Sequence, residues 1–79
     1  MLNNVETEVF MKGIVGNPYN YGNLSNPIYI DTVEEFVDIK NKRNVPSLIN
    51  SLFKKGLVNI DDDYVWLTSK GVKYCKEVM

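Results

Sequence analysis

At 79 residues, 44% of them hydrophobic, the chain is long enough for one small domain with a single core but too short for two. One cysteine and no histidine exclude an intramolecular disulfide and a Cys/His metal site, so stability must come from packing. No leader-like basic and apolar segment and no stretch of about 20 apolar residues is present, so we expect a cytoplasmic domain without a membrane span.

The first predicted helix spans about residues 4–15. Asn3 and Glu6 have the spacing of a capping box, in which each side chain accepts a hydrogen bond from the other residue's backbone N–H. Gly13 and Gly16 weaken the end of this helix. Its apolar side chains recur at helical spacing and can share one buried stripe, formed by Leu2, Val5, Val9, Phe10 and Ile14.

Residues 16–27 are rich in Gly, Asn and Pro and sustain neither helical nor strand periodicity, so we predict an irregular loop. The loop is longer than most connections, which indicates either a mobile insertion or a functional segment. Tyr19 and Tyr21 within it could stack on bases, fill a partner's pocket, or fold back over the edge of the core.

Ile28, Tyr29 and Ile30 alternate in polarity and predict a short strand that leads into a second helix. Thr32 and Glu35 have capping-box spacing at its start. Its acidic residues lie in the first turns, where the helix dipole favours them, and its apolar side comprises Val33, Phe36, Val37 and Ile39. A polar turn at residues 40–43 then completes a helix-turn-helix arrangement with the next helix.

The third predicted helix, residues 45–55, has two distinct faces. Asn44 is a candidate N-cap, Pro46 suits the first turn, and Gly56 suits the left-handed position after the last turn. The apolar stripe contains Val45, Leu48, Ile49, Leu52 and Phe53. The other side is either a solvated surface or one that enters a DNA major groove, and it carries Ser47, Asn50, Ser51 and Lys54, with Arg43 and Lys55 beside it.

Beyond Gly56 the period changes to two, and residues 57–60 and 64–67 predict an antiparallel hairpin. Val65 and Leu67 should face the core and Trp66 the outside. The connecting Asp61, Asp62 and Asp63 lack the alternating ligands, Gly and Glu of a calcium loop, so we expect no metal there.

Thr68 or Ser69 should cap a last helix, which has Val72, Cys75 and Val78 or Met79 on one side and Lys70, Lys73 and Lys76 on the other.

The segment from Ser51 to Val58, the acidic turn after it, and the segment from Val65 to Gly71 resemble the recognition helix, wing and LTxxG pattern of winged helix-turn-helix domains of the MarR-like kind. The resemblance covers about residues 28–78. It implies a small α+β winged helix-turn-helix fold, with three or four helices and a two- to three-stranded antiparallel β-wing, as a single domain over residues 1–79. It also implies binding of double-stranded DNA as a homodimer, with helix 45–55 in the major groove and with candidate contacts at Lys42, Arg43, Asn44, Ser47, Asn50, Ser51 and Lys54.

Two functions are compatible with these patterns. Residues 40–56 hold five basic side chains and no acidic one, which favours a small sequence-specific DNA-binding transcriptional regulator. The net charge of −1 and the aspartate run favour a winged-helix module that binds another protein and not DNA. That partner would be contacted by Tyr19 and Tyr21, or by Asp61, Asp62 and Asp63.

With no histidine, activated nucleophile or phosphate-binding glycine loop, we expect neither an enzyme nor a cofactor.

Overall fold

A computed structural model describes residues 2–38 and 43–78. Helix α1 spans Asn4–Glu8 and continues as a π-helix over Val9–Val15. Strand β1, Ile28–Tyr29, runs directly into helix α2, Ile30–Val33, which is extended by a 3₁₀ turn over Glu34–Phe36. Of the sequence predictions, Ile39, the turn residues 40–42 and Met79 lie outside the described part.

The second half of the chain holds helix α3 and the hairpin. Helix α3 spans Val45–Lys54, strands β2 and β3 span Val58–Asp61 and Tyr64–Leu67, and helix α4 spans Ser69–Val78. Strand β3 is central in an antiparallel sheet of order β1-β3-β2. Four helices and three strands in the described residues confirm the predicted small α+β, winged-helix-like fold.

The core draws on every main element. Val65 and Leu67 are fully buried, as the alternation predicted, and Cys75 is buried beside them in the same core. Trp66 lies on the other side of the sheet and is half-buried.

Helix α3 buries Val45, Ile49 and Leu52, whereas Phe53 is 46% exposed. Its assignment to the buried stripe was wrong, because at 100° per residue it lies about 80° around the helix from Val45.

The two predicted capping boxes had different outcomes. Asn3 Oδ1 accepts from the Glu6 N–H at 2.8 Å, and Glu6 Oε1 accepts from the Asn3 N–H at 3.1 Å, so the first box is confirmed. The Thr32 and Glu35 box was wrong, since α2 begins earlier, at Ile30. There the Ile30 N–H donates to the backbone carbonyl of Asp63 at 2.8 Å, and this tertiary bond satisfies one of the N–H groups that the first turn leaves without a helical partner.

The ends of α3 also differ from each other. Asn44 occupies the N-cap position, but its side chain makes no capping hydrogen bond. Pro46 lies in the first turn, as predicted. Gly56 has a φ of +80°, which confirms the predicted left-handed residue after the helix.

Two buried asparagines hold the predicted loop 16–27 against α1. Asn17 Nδ2 donates to the Gly13 carbonyl at 2.9 Å, and Asn20 Nδ2 donates to the Ile14 and Val15 carbonyls at 3.1 Å. These are the carbonyls left without helical partners at the end of a helix. The loop is therefore irregular, apart from a 3₁₀ turn at Pro18–Asn20, and yet is joined to the core by specific hydrogen bonds.

Glu6 fixes α1 to the C-terminal half of α3. Its carboxylate is almost completely buried, both its oxygens lie 2.8 Å from Lys55 Nζ, and it accepts the Ser51 hydroxyl hydrogen bond. The hydrogen bonds from Lys55, Ser51 and the Asn3 backbone lower the pKa of Glu6 to about 2, against an opposing effect of desolvation.

Thr68 joins the turn after α3 to the start of α4. Its Oγ1 donates to the Gly56 carbonyl at 2.6 Å and accepts from the Gly71 N–H at 3.0 Å, which confirms Thr68 as the cap of α4. The Thr68 N–H donates to the Leu57 carbonyl at 3.1 Å. A Cβ on Gly71 would lie only 2.0 Å from that same carbonyl oxygen, so the close approach requires glycine. These contacts explain why Thr68 and Gly71 occur in the Leu67-Thr68 to Gly71 pattern.

Gly71→Ala should destabilise the domain by at least about 2 kcal/mol, because the obstructing atom belongs to the backbone and cannot rotate away. Helix propensity alone would predict the opposite sign, a gain of about 1 kcal/mol. Urea unfolding followed by circular dichroism measures the difference. Lys73→Ala, at an exposed position of the same helix, is the control and should change stability by no more than about 0.5 kcal/mol. A stable Gly71→Ala variant would contradict the close approach.

Glu6→Gln should lower the free energy of unfolding at neutral pH by about 1–3 kcal/mol, because the amide leaves Lys55 without its counter-charge. The pKa of Glu6 falls from 4.5 to about 2 on folding, so its stabilisation is complete above the unfolded value and is lost as the pH decreases toward 2.

Chemical unfolding at a series of pH values between 5 and 2, on the parent chain and on Glu6→Gln, measures this dependence. The parent should lose more stability across the window than the variant. Glu77→Gln removes an exposed carboxylate from α4 and should follow the parent. Identical pH slopes for the parent and Glu6→Gln would refute the role of the buried carboxylate.

Candidate nucleic-acid interface

The outer face of α3 presents most of the residues that the sequence singled out. Ser47, Asn50 and Lys54 are exposed and lie three and four residues apart, so they share one side of the helix. Arg43 and Asn44 are exposed just before its first turn. Within residues 2–38 and 43–78, no hydrogen bond or ion pair joins these five side chains to another residue. They form an exposed polar face on and just before α3. Lys42 lies outside the described residues.

Ser51 is placed differently. It is half-buried, and its hydroxyl donates to Glu6 on α1. Lys55, directly after the end of α3, is paired with the same carboxylate. The structure thus uses Ser51 and Lys55 to position α3, and the free polar face is formed by the five residues around them in sequence. Sequence spacing alone gave no indication of this division, because it depends on which helix packs beside α3.

Lysines from two helices surround the C-terminal end of α3. A cleft of about 430 Å³ is lined by Lys54, Lys55 and Lys70 above the apolar side chains of Leu2, Leu57 and Tyr74. Lys70 Nζ donates to the Lys55 carbonyl at 3.0 Å. This carbonyl lies at the negative end of the helix dipole, which stabilises a nearby cation. This end of α3 is consequently cationic.

The hairpin tip has the opposite charge. Asp61, Asp62 and Asp63 are all exposed, and Asp62 adopts a left-handed φ of 54° in the tight turn. Within the described residues, no group of three or more His, Cys, Asp or Glu side chains is arranged to hold a metal ion. The tip is a concentrated negative charge at the position where a winged-helix domain presents its wing.

The tyrosines named as partner contacts differ in environment. Tyr21 is 84% exposed and so does not fold back over the edge of the core, whereas the centroid of the Tyr19 ring lies 6.3 Å from that of Phe36. Sequence reasoning missed a second pair, Tyr29 and Tyr64, whose rings stack at 4.6 Å. The signal was present in the alternation of both strands, which turns these rings away from the core. The hydrogen bond with Tyr29 raises the pKa of Tyr64, and desolvation and nearby charges add to the shift.

No helix in the described ranges is both long and apolar enough to cross a membrane. Comparison with protein-family models, with curated proteins and with solved structures finds no match to this chain.

Proposed function

We propose that this protein is a small, sequence-specific DNA-binding transcriptional regulator of the MarR-like winged-helix kind, with α3 in the major groove. The observation that carries the proposal is the outer face of α3, where Ser47, Asn50 and Lys54 project without partners among the described residues and Arg43 lies at the start. Small polar side chains read base edges, and flanking cations contact phosphates.

The size of α3 suits this role. Ten residues make a helix about 15 Å long, which can lie in a major groove about 12 Å wide. Asn50, near its middle, can make the paired hydrogen bonds by which an amide side chain recognises adenine. Lys54 in the last turn, with Arg43 before the first, would contact the phosphates that border the groove.

The anchoring of α3 supports the same function. Glu6 holds Ser51 and Lys55 on the inner side, and Thr68 holds the turn after the helix. A reading helix that is already fixed in place loses little conformational entropy when it binds. Because one small module makes a limited number of base contacts, a homodimer on two half-sites would supply the affinity of a specific regulator.

A protein-interaction module is the second candidate. The acidic tip formed by Asp61, Asp62 and Asp63 favours it, since these charges would repel phosphates wherever the hairpin approaches a DNA backbone. On this alternative the same residues would attract a basic partner, and α3 would remain solvated.

Asn50→Ala and Lys54→Ala should affect DNA binding differently. Loss of the Asn50 amide should remove discrimination at a few base pairs, by about 1–3 kcal/mol, with a smaller effect on non-specific binding. Loss of the Lys54 charge should weaken binding to all sequences and lower the salt slope by about one. Fluorescence anisotropy on selected and random duplexes at several salt concentrations separates these effects. Lys76→Ala, on the exposed side of α4, is the control for loss of a positive charge elsewhere.

Replacing Asp61, Asp62 and Asp63 together with asparagine should strengthen DNA binding, because three negative charges leave the vicinity of the phosphates. Asparagine tolerates the left-handed conformation at position 62, so the turn should keep its shape. The same anisotropy titrations measure the gain. If neither the parent nor this variant retains any duplex in low-salt selection from a random library, at concentrations that populate a dimer, the DNA-binding proposal is wrong.

A further inference from the structure

A second surface, separate from α3, collects four of the chain's five tyrosines. Tyr19, Tyr21, Tyr29 and Tyr64, together with Pro27, line an open cleft of about 450 Å³, here called the tyrosine cleft. A smaller depression of about 260 Å³ lies beside it, between Asp61 and Trp66, and shares Pro27 and Tyr64 as walls. Two adjoining apolar depressions with a common aromatic wall form an elongated surface.

The tyrosine cleft is held in place by the sheet. Tyr29 and Tyr64 are paired across β1 and β3, and their neighbours Ile28 and Val65 are paired in the core. The two rings are stacked with an angle of 28° between their planes, while remaining 54% and 37% exposed. Large aromatic surfaces that are fixed in position but left in water are typical of binding sites.

The charge around the cleft is negative. Glu35 lines it, Asp61 lines the adjoining depression, and no lysine or arginine lines either one among the described residues. The backbone carbonyl of Asp63 accepts from the Ile30 N–H at 2.8 Å, which holds the acidic tip against the end of β1. A ligand for this surface should therefore be apolar along its length and carry positive charge.

We propose that the tyrosine cleft binds an extended, proline-rich segment of another protein that carries lysine or arginine next to its prolines. Polyproline II segments dock in aromatic-lined grooves and are stiff before binding, so little entropy is lost. Their carbonyls, which have no internal partners, can accept hydrogen bonds from the tyrosine hydroxyls and from the Asn26 amide in the lining. Glu35 and Asp61 would pair with the basic residues of the segment.

The chemistry of the surface favours this occupant over a single-stranded nucleic acid. Tyrosines can stack on bases, but Glu35 and Asp61 in the lining would repel the phosphates of the strand. The cleft is built by β1, β3, α2 and the loop before β1, whereas the proposed DNA contacts lie on α3. The two proposals can consequently fail independently.

Selection from a random peptide display library on the immobilised full chain tests the proposal. Enriched peptides should contain several prolines with an adjacent lysine or arginine. A synthetic copy of the best one, titrated into isotopically labelled protein, should shift the amides of residues 26, 28–32 and 64 and leave those of residues 47–54 unchanged. Alanine in place of its prolines should weaken binding about tenfold or more.

Substitutions in the lining of the tyrosine cleft provide a second test. Tyr21→Asn suits the left-handed backbone at that position, and Tyr29→Thr keeps a strand-forming residue, so both should fold. Each should weaken the selected peptide about tenfold, whereas Phe53→Ala, which removes an exposed ring from α3, should not. Glu35→Gln should weaken it about two- to fivefold and reduce the salt dependence, while Glu77→Gln should leave it unchanged.

Several results would overturn the inference. Enrichment of no peptide above an empty support, or of only acidic or proline-free peptides, is one such result. Unchanged affinity of the chosen peptide for well-folded Tyr21→Asn and Tyr29→Thr, as judged by their amide spectra, is another. Tight binding of a single-stranded oligonucleotide to the same amides, or self-association abolished by Tyr29→Thr, would assign the cleft to a different occupant.

Discussion

The buried carboxylate of Glu6 is the contact on which the arrangement of the helices depends. It accepts from the Asn3 backbone at the start of α1, from Ser51 inside α3 and from Lys55 after it, so one side chain joins three parts of the chain. A buried charge is tolerated only when it is paired and hydrogen-bonded, which all three contacts ensure. The rotation of α3 about its axis is thereby fixed. The face that carries Ser47, Asn50 and Lys54 is left outside.

A second constraint places the sheet relative to α4. The hydroxyl and N–H of Thr68 bond the carbonyls of Gly56 and Leu57, and the missing side chain of Gly71 allows α4 to approach that backbone. With β3 held there, its alternation turns Val65 and Leu67 inward and the Tyr64 and Trp66 rings outward. The aromatic surface on the outside therefore follows from the same register that fills the core.

Residues close together in sequence were enough to predict the helices and strands. The residues whose roles were predicted wrongly or missed are those whose roles depend on tertiary contacts. The first capping box, the left-handed Gly56 and the hairpin register depend on residues close in sequence, and all three were predicted. The Thr32 cap failed because α2 begins at Ile30, where the Ile30 N–H bonds a hairpin carbonyl distant in sequence, so Thr32 lies inside the helix. Asn17 and Asn20 were read only as loop formers, although their amides bond the end of α1. The division of the polar face of α3 between Glu6 and solvent also required knowledge of the packing.

Separation of charge connects the two proposed surfaces. The net charge of −1 conceals a cationic end of α3, with Lys54 and Lys70, and an acidic hairpin tip, with Asp61, Asp62 and Asp63. Such a charge distribution would orient the domain in the field of DNA, with α3 toward the phosphates. The tyrosine cleft, which adjoins the tip, would then remain accessible on a DNA-bound molecule. A basic, proline-rich partner would also neutralise the charges that oppose DNA. On these two proposals, binding of each ligand should favour the other, because both act on the same electrostatic repulsion.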